Sequence, residues 1–193
     1  MRQKITILSI VVLLFAYSCD ILTTRDSEPP DQPRSNFLPA TTPEILFQNF
    51  QNSIREKNEP NYMASFVDSS FLNKIYKFVP SSGSISQYSI LAYWDLTAEK
   101  QYFNHIIASA GDFPISVTLV ETEKSITGDS ASFQFDYELS LPFTDESIPS
   151  KYEGTLLFKI QLDTQQKWVI YEWEDYKKEA LPSWSELKGR FYL

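Results

Sequence analysis

Apolar and polar residues alternate along "ASFQFDYELSL", which puts Phe133, Phe135, Tyr137, Leu139 and Leu141 on one face and Ser132, Gln134, Asp136, Glu138 and Ser140 on the other. That period of two predicts a half-buried antiparallel strand. "PISVTLVET" precedes it through the turn Thr127-Gly128-Asp129-Ser130, while "YEGTLLFKIQL" and "KWVIYEWEDY" follow it, joined to each other by Asp163 to Gln166. Consecutive strands with such short joins form a meander. Gly154 interrupts a face carrying Tyr152, Leu156 and Phe158, which predicts a bend or bulge that curls the sheet and leaves one face concave.

Upstream the period lengthens. Along "EILFQNFQNSIREKN", Leu46, Phe47, Phe50 and Ile54 recur at helical spacing, and Gln48, Gln51, Asn52 and Arg55 fall away from that stripe. Thr42 can cap this helix, Pro43 suits its first position and Glu44 complements its dipole. "NEPN" breaks the pattern before a shorter helix in "YMASFV", where Tyr62 and Phe66 are an i, i+4 pair, and "KIYKFVP" then reads as a strand. Beyond the serine-rich loop Ser81 to Ser89, a third helix spans "WDLTAEKQYFNHIIASAG", begun by Asp95 and ended at Gly111. Its stripe of Phe103, Ile106, Ile107 and Ala110 turns His105 to solvent.

The last strand is apolar on both faces, so either Val169-Tyr171-Trp173 or Trp168-Ile170-Glu172 can point inward. Only the second choice buries an acid, at a cost of several kcal/mol unless it is paired or protonated. Tyr171 and Trp173 are therefore expected inward and Glu172 outward. The segment "LPSWSELKGRF", with Ser183 and Glu186 at capping-box spacing, is expected to form a short helix over Trp168. Its Trp184 and Leu187 would then pack on the outer face beside Ile170.

Composition changes the picture at the N-terminus. Arg2 and Lys4 precede the apolar run Ile5 to Tyr17, followed by Ser18 and Cys19, the single cysteine of the chain. A membrane span needs about 20 apolar residues, and this run stops before Asp20, Arg25 and Asp26. "FAYSC" resembles the lipobox of bacterial lipoproteins, with Ala16 where leucine is commonest and Tyr17 where a small residue is usual. The resemblance implies a signal peptide over residues 1–18 and lipid attachment at Cys19 through a thioether-linked diacylglyceryl group, with acyl chains such as palmitate. It also implies a bacterial cell-envelope location, the domain facing the periplasm or the exterior. Each buried methylene adds about 0.8 kcal/mol, so two or three acyl chains anchor almost permanently. The Pro-rich stretch that follows reads as an extended spacer, making residues 19–42 a lipidated tether and 43–193 the folded domain.

Helices followed by a long curved antiparallel sheet define an α+β class. The stretches "TPEILFQNFQNSIREKNEPNYMASFVDSSF", "YWDLTAEKQYF", "KWVIYEWED" and "SWSELKG" resemble the NTF2-like superfamily, notably the small bacterial lipoproteins that carry such a domain. The resemblance implies a cone of helices packed into a bent sheet around an apolar pocket. Its members include isomerases, dehydratases and binding modules, so fold leaves function to the site.

Charge and chemistry narrow the field. A formal net charge of -8, which becomes -10 once Arg2 and Lys4 leave with the signal, excludes nucleic acid as a partner. Neither G-x-x-x-x-G-K-[ST] nor G-x-G-x-x-G occurs, and no cofactor is expected. A lone histidine and a lone cysteine exclude the usual zinc sites, and no D-x-[DN]-x-[DN]-G loop for calcium is present. G-x-S-x-G is absent as well, so the serines from Ser81 to Ser89 read as loop. Trp94, Phe133, Tyr137, Tyr171 and Trp173 are the candidate pocket lining, a set that more often serves as core. These features read as a membrane-anchored, non-enzymatic module that binds an envelope protein or a small apolar ligand. The alternative is a small-molecule isomerase or dehydratase using a carboxylate in the cone, with Glu172 as the general base.

Overall fold

The alternation in Ser130–Ser140 places its aromatic residues on the inner face of a five-stranded sheet. This is a computed structural model and describes residues 35–143, 145, 147–178 and 180–192. The expected signal segment, Cys19 and the expected tether as far as Arg34 lie outside the described residues. The strands are β1 (Lys77–Val79), β2 (Ser116–Thr127), β3 (Ser130–Ser140), β4 (Lys151–Leu162) and β5 (Trp168–Lys177). Their spatial order is β1-β5-β4-β3-β2, with β1 parallel to β5 and the other pairs antiparallel. Around them stand α1 (Pro43–Arg55), α2 (Glu59–Met63), α3 (Ser84–Gln87), a 3-10 turn at Ser89–Tyr93, α4 (Leu96–Ala110) and α5 (Trp184–Phe191). The architecture is the α+β cone that the element order predicts.

Local signals start the helices where expected. Thr42 Oγ1 accepts from Ile45 N at 3.4 Å, and Asp95 Oδ1 accepts from Ala98 N at 2.8 Å. The apolar stripe of α1 then buries Leu46, Phe47, Phe50 and Ile54, with Phe47 against Phe133, Phe135 and Phe158 of the sheet. Ser35–Thr42 lies against the same domain: Asn49 Nδ2 donates to Leu38 O at 2.6 Å, and Trp168 N donates to Ala40 O at 2.8 Å. The second helix departs from expectation. It covers Glu59–Met63 instead of running on through Val67, because Phe66 forms a parallel bridge to Ile170 and Val67 N donates to Ile170 O at 2.9 Å. Pairing with the sheet edge satisfies this backbone in place of another helical turn.

The sheet's irregularities also differ from expectation. Register runs unbroken through Gly154, which sits opposite Tyr137. An added Cβ there would lie 2.5 Å from Tyr137 Oη and 2.6 Å from Tyr176 O, so this glycine makes room and creates no bulge. The register shifts instead at Thr122 in β2 and at Tyr171 in β5. Tyr171 is the extra residue between Ile170, opposite Ile160, and Glu172, opposite Lys159. One extra residue reverses the alternation, so Ile170 and Trp173 both reach the inner face and are fully buried. Tyr171 is thereby displaced from the inner set and half-buried, with Lys74 Nζ 3.8 Å from its ring centre.

Helix α5 also takes a different place. Instead of covering the outer face beside Ile170, it enters the concave face, where Trp184 lies 4.8 Å from Trp173, 5.1 Å from Tyr137 and 6.0 Å from Phe50 between ring centres. Trp184 and Leu187 need an apolar surface. The outer face presents Lys159, Glu172 and Glu174 as an ion-pair cluster, whereas the cone presents rings.

Candidate functional site

Two fully buried acids and one fully buried lysine lie inside the cone, among residues chosen by helical and strand periodicity to face it. Glu99 sits on α4 one turn before Tyr102 and Phe103, so it shares their buried stripe. Its Oε1 accepts from Tyr62 Oη at 2.7 Å. Its Oε2 accepts from Trp94 Nε1 at 2.7 Å, from Tyr76 Oη at 2.9 Å and from Lys188 Nζ at 2.5 Å. Lys188 reaches this point from α5, one helical turn after Trp184, and its ammonium is 3.6 Å from the Trp173 ring centre and 3.9 Å from that of Phe78. Burial pushes the Lys188 ammonium down to about 8 against the raising influence of Glu99. Burial first, and then the Glu99 charge, holds the Tyr62, Tyr76 and Tyr102 hydroxyls well above the usual phenol range.

The second acid, Asp175, is on β5 two residues after Trp173 and faces the same interior. It accepts from Tyr137 Oη at 2.8 Å, from Ser185 N at 2.8 Å and from Ser185 Oγ at 2.5 Å. Burial raises its pKa above the ordinary carboxyl value, and these hydrogen bonds oppose the rise. Tyr137 Oη also accepts from Trp184 N at 2.6 Å, so one phenol joins the acid to the first turn of α5. Ser183 N donates to Glu186 Oε2 at 2.6 Å, the capping interaction predicted by their spacing. Ser81, assigned to a loop from sequence, is buried: its N donates to Ser185 Oγ at 2.9 Å and its Oγ lies 2.9 Å from Ser183 Oγ. These contacts tie α5 into the cone. The chain's one histidine, His105, lies at Phe191 O and not beside Asp175 and Ser185, so no Ser-His-Asp arrangement forms here.

The predicted lining residues separate. Trp94, Phe133, Tyr137 and Trp173 all belong to the buried core, whereas Tyr171 is displaced by the bulge. Glu172 lies on the outer face, 2.7 Å from Lys159 Nζ and 3.7 Å from Lys77 Nζ, and is no part of the interior. His105 is half-buried where solvent exposure was expected, because the end of α5 crosses it and its Nδ1 lies 2.9 Å from Phe191 O. Cys19 lies outside the described residues. Glu99, Asp175 and Lys188 were missed, although a helical wheel carries the signal for two of them. Ala98, Glu99, Tyr102, Phe103 and Ile106 form one stripe, as do Trp184, Leu187, Lys188 and Phe191.

The cone holds almost no empty space. A cavity of about 10 Å³ is bounded by Ile54, Tyr62, Tyr102, Phe103, Leu139 and Trp184. One water molecule needs at least that much. Larger concavities lie at the surface: an open one of about 450 Å³ includes Thr118, Glu138, Lys151 and Glu153, and one of about 440 Å³ includes Met63, Phe71, Leu96 and Val169. Among the described residues no group of three or more His, Cys, Asp or Glu side chains converges as a metal would require.

A bent sheet with helices in its concavity, closed by a C-terminal helix that brings its own lysine to a buried acid, defines the class: a filled α+β cone. Known structures share this fold. A candidate aromatic ring hydroxylase from Novosphingobium aromaticivorans superposes with a TM-score of 0.54 at 11% identity, covering 75% of this chain and 92% of that one. A candidate dehydratase of the NTF2-like family from Streptomyces avermitilis gives 0.53 at 11% identity over 71% and 94% of the two chains. A conserved protein from Planctomyces limnophilus gives 0.51 at 9% identity over 69% and 91%. The fold is thus the NTF2-like cone. No family profile matches the sequence, and no curated protein does.

Proposed function

We propose that this chain is a lipid-anchored protein of the bacterial cell envelope whose NTF2-like domain binds a partner protein on its surface and performs no chemistry in its interior. The observation that carries the binding role is the cone interior packed with aromatic side chains, where a cavity of about 10 Å³ leaves no room for a small-molecule substrate while α5 is in place. An isomerase or dehydratase needs a base that reaches its substrate. Glu172 is on the outer face and Glu99 is sealed under Lys188, which weighs against that alternative. The anchor rests on the order of Arg2 and Lys4, the apolar run Ile5 to Tyr17, and Cys19.

Both halves are tested in one bacterial expression experiment on the full chain. A tagged fatty acid should label the wild type and leave Cys19→Ser unlabelled, because a serine hydroxyl is far less nucleophilic than a thiolate. Equal labelling of the two removes the anchor. A photo-crosslinking side chain placed at exposed Thr118 should capture a discrete protein band, identified by mass spectrometry. Turnover of a small carbonyl or hydroxyl substrate that is lost in Glu99→Gln would overturn the binding role.

A further inference from the structure

The chamber around Lys188 is built from elements other than the helix that carries the lysine. Tyr62 comes from α2, Tyr76 and Phe78 from β1 and the residue before it, Trp94 from the end of the 3-10 turn, Glu99 from the first turn of α4, and Trp173 from β5. Three neutral donors, the Tyr62 and Tyr76 hydroxyls and the Trp94 indole N–H, hold the Glu99 carboxylate in place at 2.7, 2.9 and 2.7 Å. None of these three donors comes from α5. Those donors are neutral, and a buried carboxylate is stabilised further by a cation at its side. Around the Lys188 ammonium, which supplies that counter-charge, stand the faces of Trp173, Phe78, Trp94 and Tyr102, at 3.6, 3.9, 5.4 and 5.7 Å from Nζ to each ring centre. A fixed carboxylate walled by aromatic faces is the arrangement that recognises an ammonium group.

We propose that the interior of the cone is a binding site for a primary alkylammonium ion, which Lys188 occupies as a tethered ligand, so that α5 is a plug that an external alkylammonium competes to displace. Lys188 has the features of a ligand. Among the described residues its ammonium makes an ion pair with Glu99 alone, and the rest of its surface is taken by rings. The proposal does not rest on the lipid anchor. It assigns the interior a ligand chemistry that the plug conceals, and it stands or falls separately from the partner-binding role.

Lys188→Ala removes the atoms from Cγ to Nζ, which together have the size and charge of n-propylammonium. In the full chain carrying this substitution, n-propylammonium should raise Tm saturably, and n-propanol at the same concentration should not. Adding Glu99→Gln should abolish the difference between amine and alcohol. If Lys188→Ala does not fold unaided, the reading is recovery of folded protein on refolding with the amine. Equal effects of amine and alcohol, on Tm or on recovery, overturn the proposal. A second measurement uses the unaltered chain: n-propylammonium should speed amide hydrogen exchange in Trp184–Phe191 relative to the same concentration of sodium chloride. Exchange there that is indifferent to the amine also overturns it, since a plug that cannot be displaced guards no site.

Discussion

Lys188 Nζ stands 2.5 Å from Glu99 Oε2, across 89 residues of sequence, and neither side chain reaches solvent. Desolvating both charges is costly, and the pair persists because three neutral donors and several ring faces share the load. What the pair supplies is position: one helix, in one register, at one place in the cone. Lys188→Met keeps the volume and orphans Glu99, so it should destabilise the fold by about 3–5 kcal/mol. Lys188→Met/Glu99→Gln should recover most of that loss, as read from urea midpoints at constant m-value. Additive losses in the double variant would mean that the two charges do not act as a pair.

Stability should fall as pH rises past the usual phenol value. Burial first, and then the Glu99 charge, raises the folded-state pKa values of Tyr62, Tyr76 and Tyr102, so above the ordinary phenol value the unfolded state binds fewer protons than the folded one. The stabilisation is complete below that value and is lost as pH climbs toward the raised folded-state values. Thermal scans across this range should show the decline, and Tyr62→Phe should make it shallower.

Gly154→Ala should cost about 1–3 kcal/mol by overpacking. The new methyl would meet both Tyr137 Oη and the backbone oxygen of Tyr176. Tyr137→Phe should therefore fail to rescue it, since the Tyr176 carbonyl cannot step aside. Full rescue by Tyr137→Phe would show that the hydroxyl alone is the obstacle.

His105→Ala should cost about 0.5–1.5 kcal/mol, the value of one hydrogen bond, where an exposed side chain would cost less. The bond to Phe191 O requires the proton on Nδ1, and its loss frees the last turn of α5. Hydrogen exchange at the C-terminal end of α5 should rise more than in the rest of the domain. Uniform exchange through α5 in this variant would remove the bond from the account.

Much of this was legible in the chain. Alternation in β3 and β4, the stripe of α1, the caps at Thr42 and Asp95 and the Ser183–Glu186 spacing are encoded within a few residues, because side-chain direction repeats with local geometry. The same local rule places Glu99 on the buried stripe of α4 and Lys188 on that of α5. It cannot say that the two stripes meet. Tertiary structure alone decided the pairing, the entry of α5 into the cone and the reversal of facing at Tyr171. Periodicity specifies which face of an element avoids water, whereas the surface that covers it is selected by which packing satisfies every buried charge and donor at once. A single extra residue in β5 was enough to change the inner set, because strand parity has no memory beyond the next bulge.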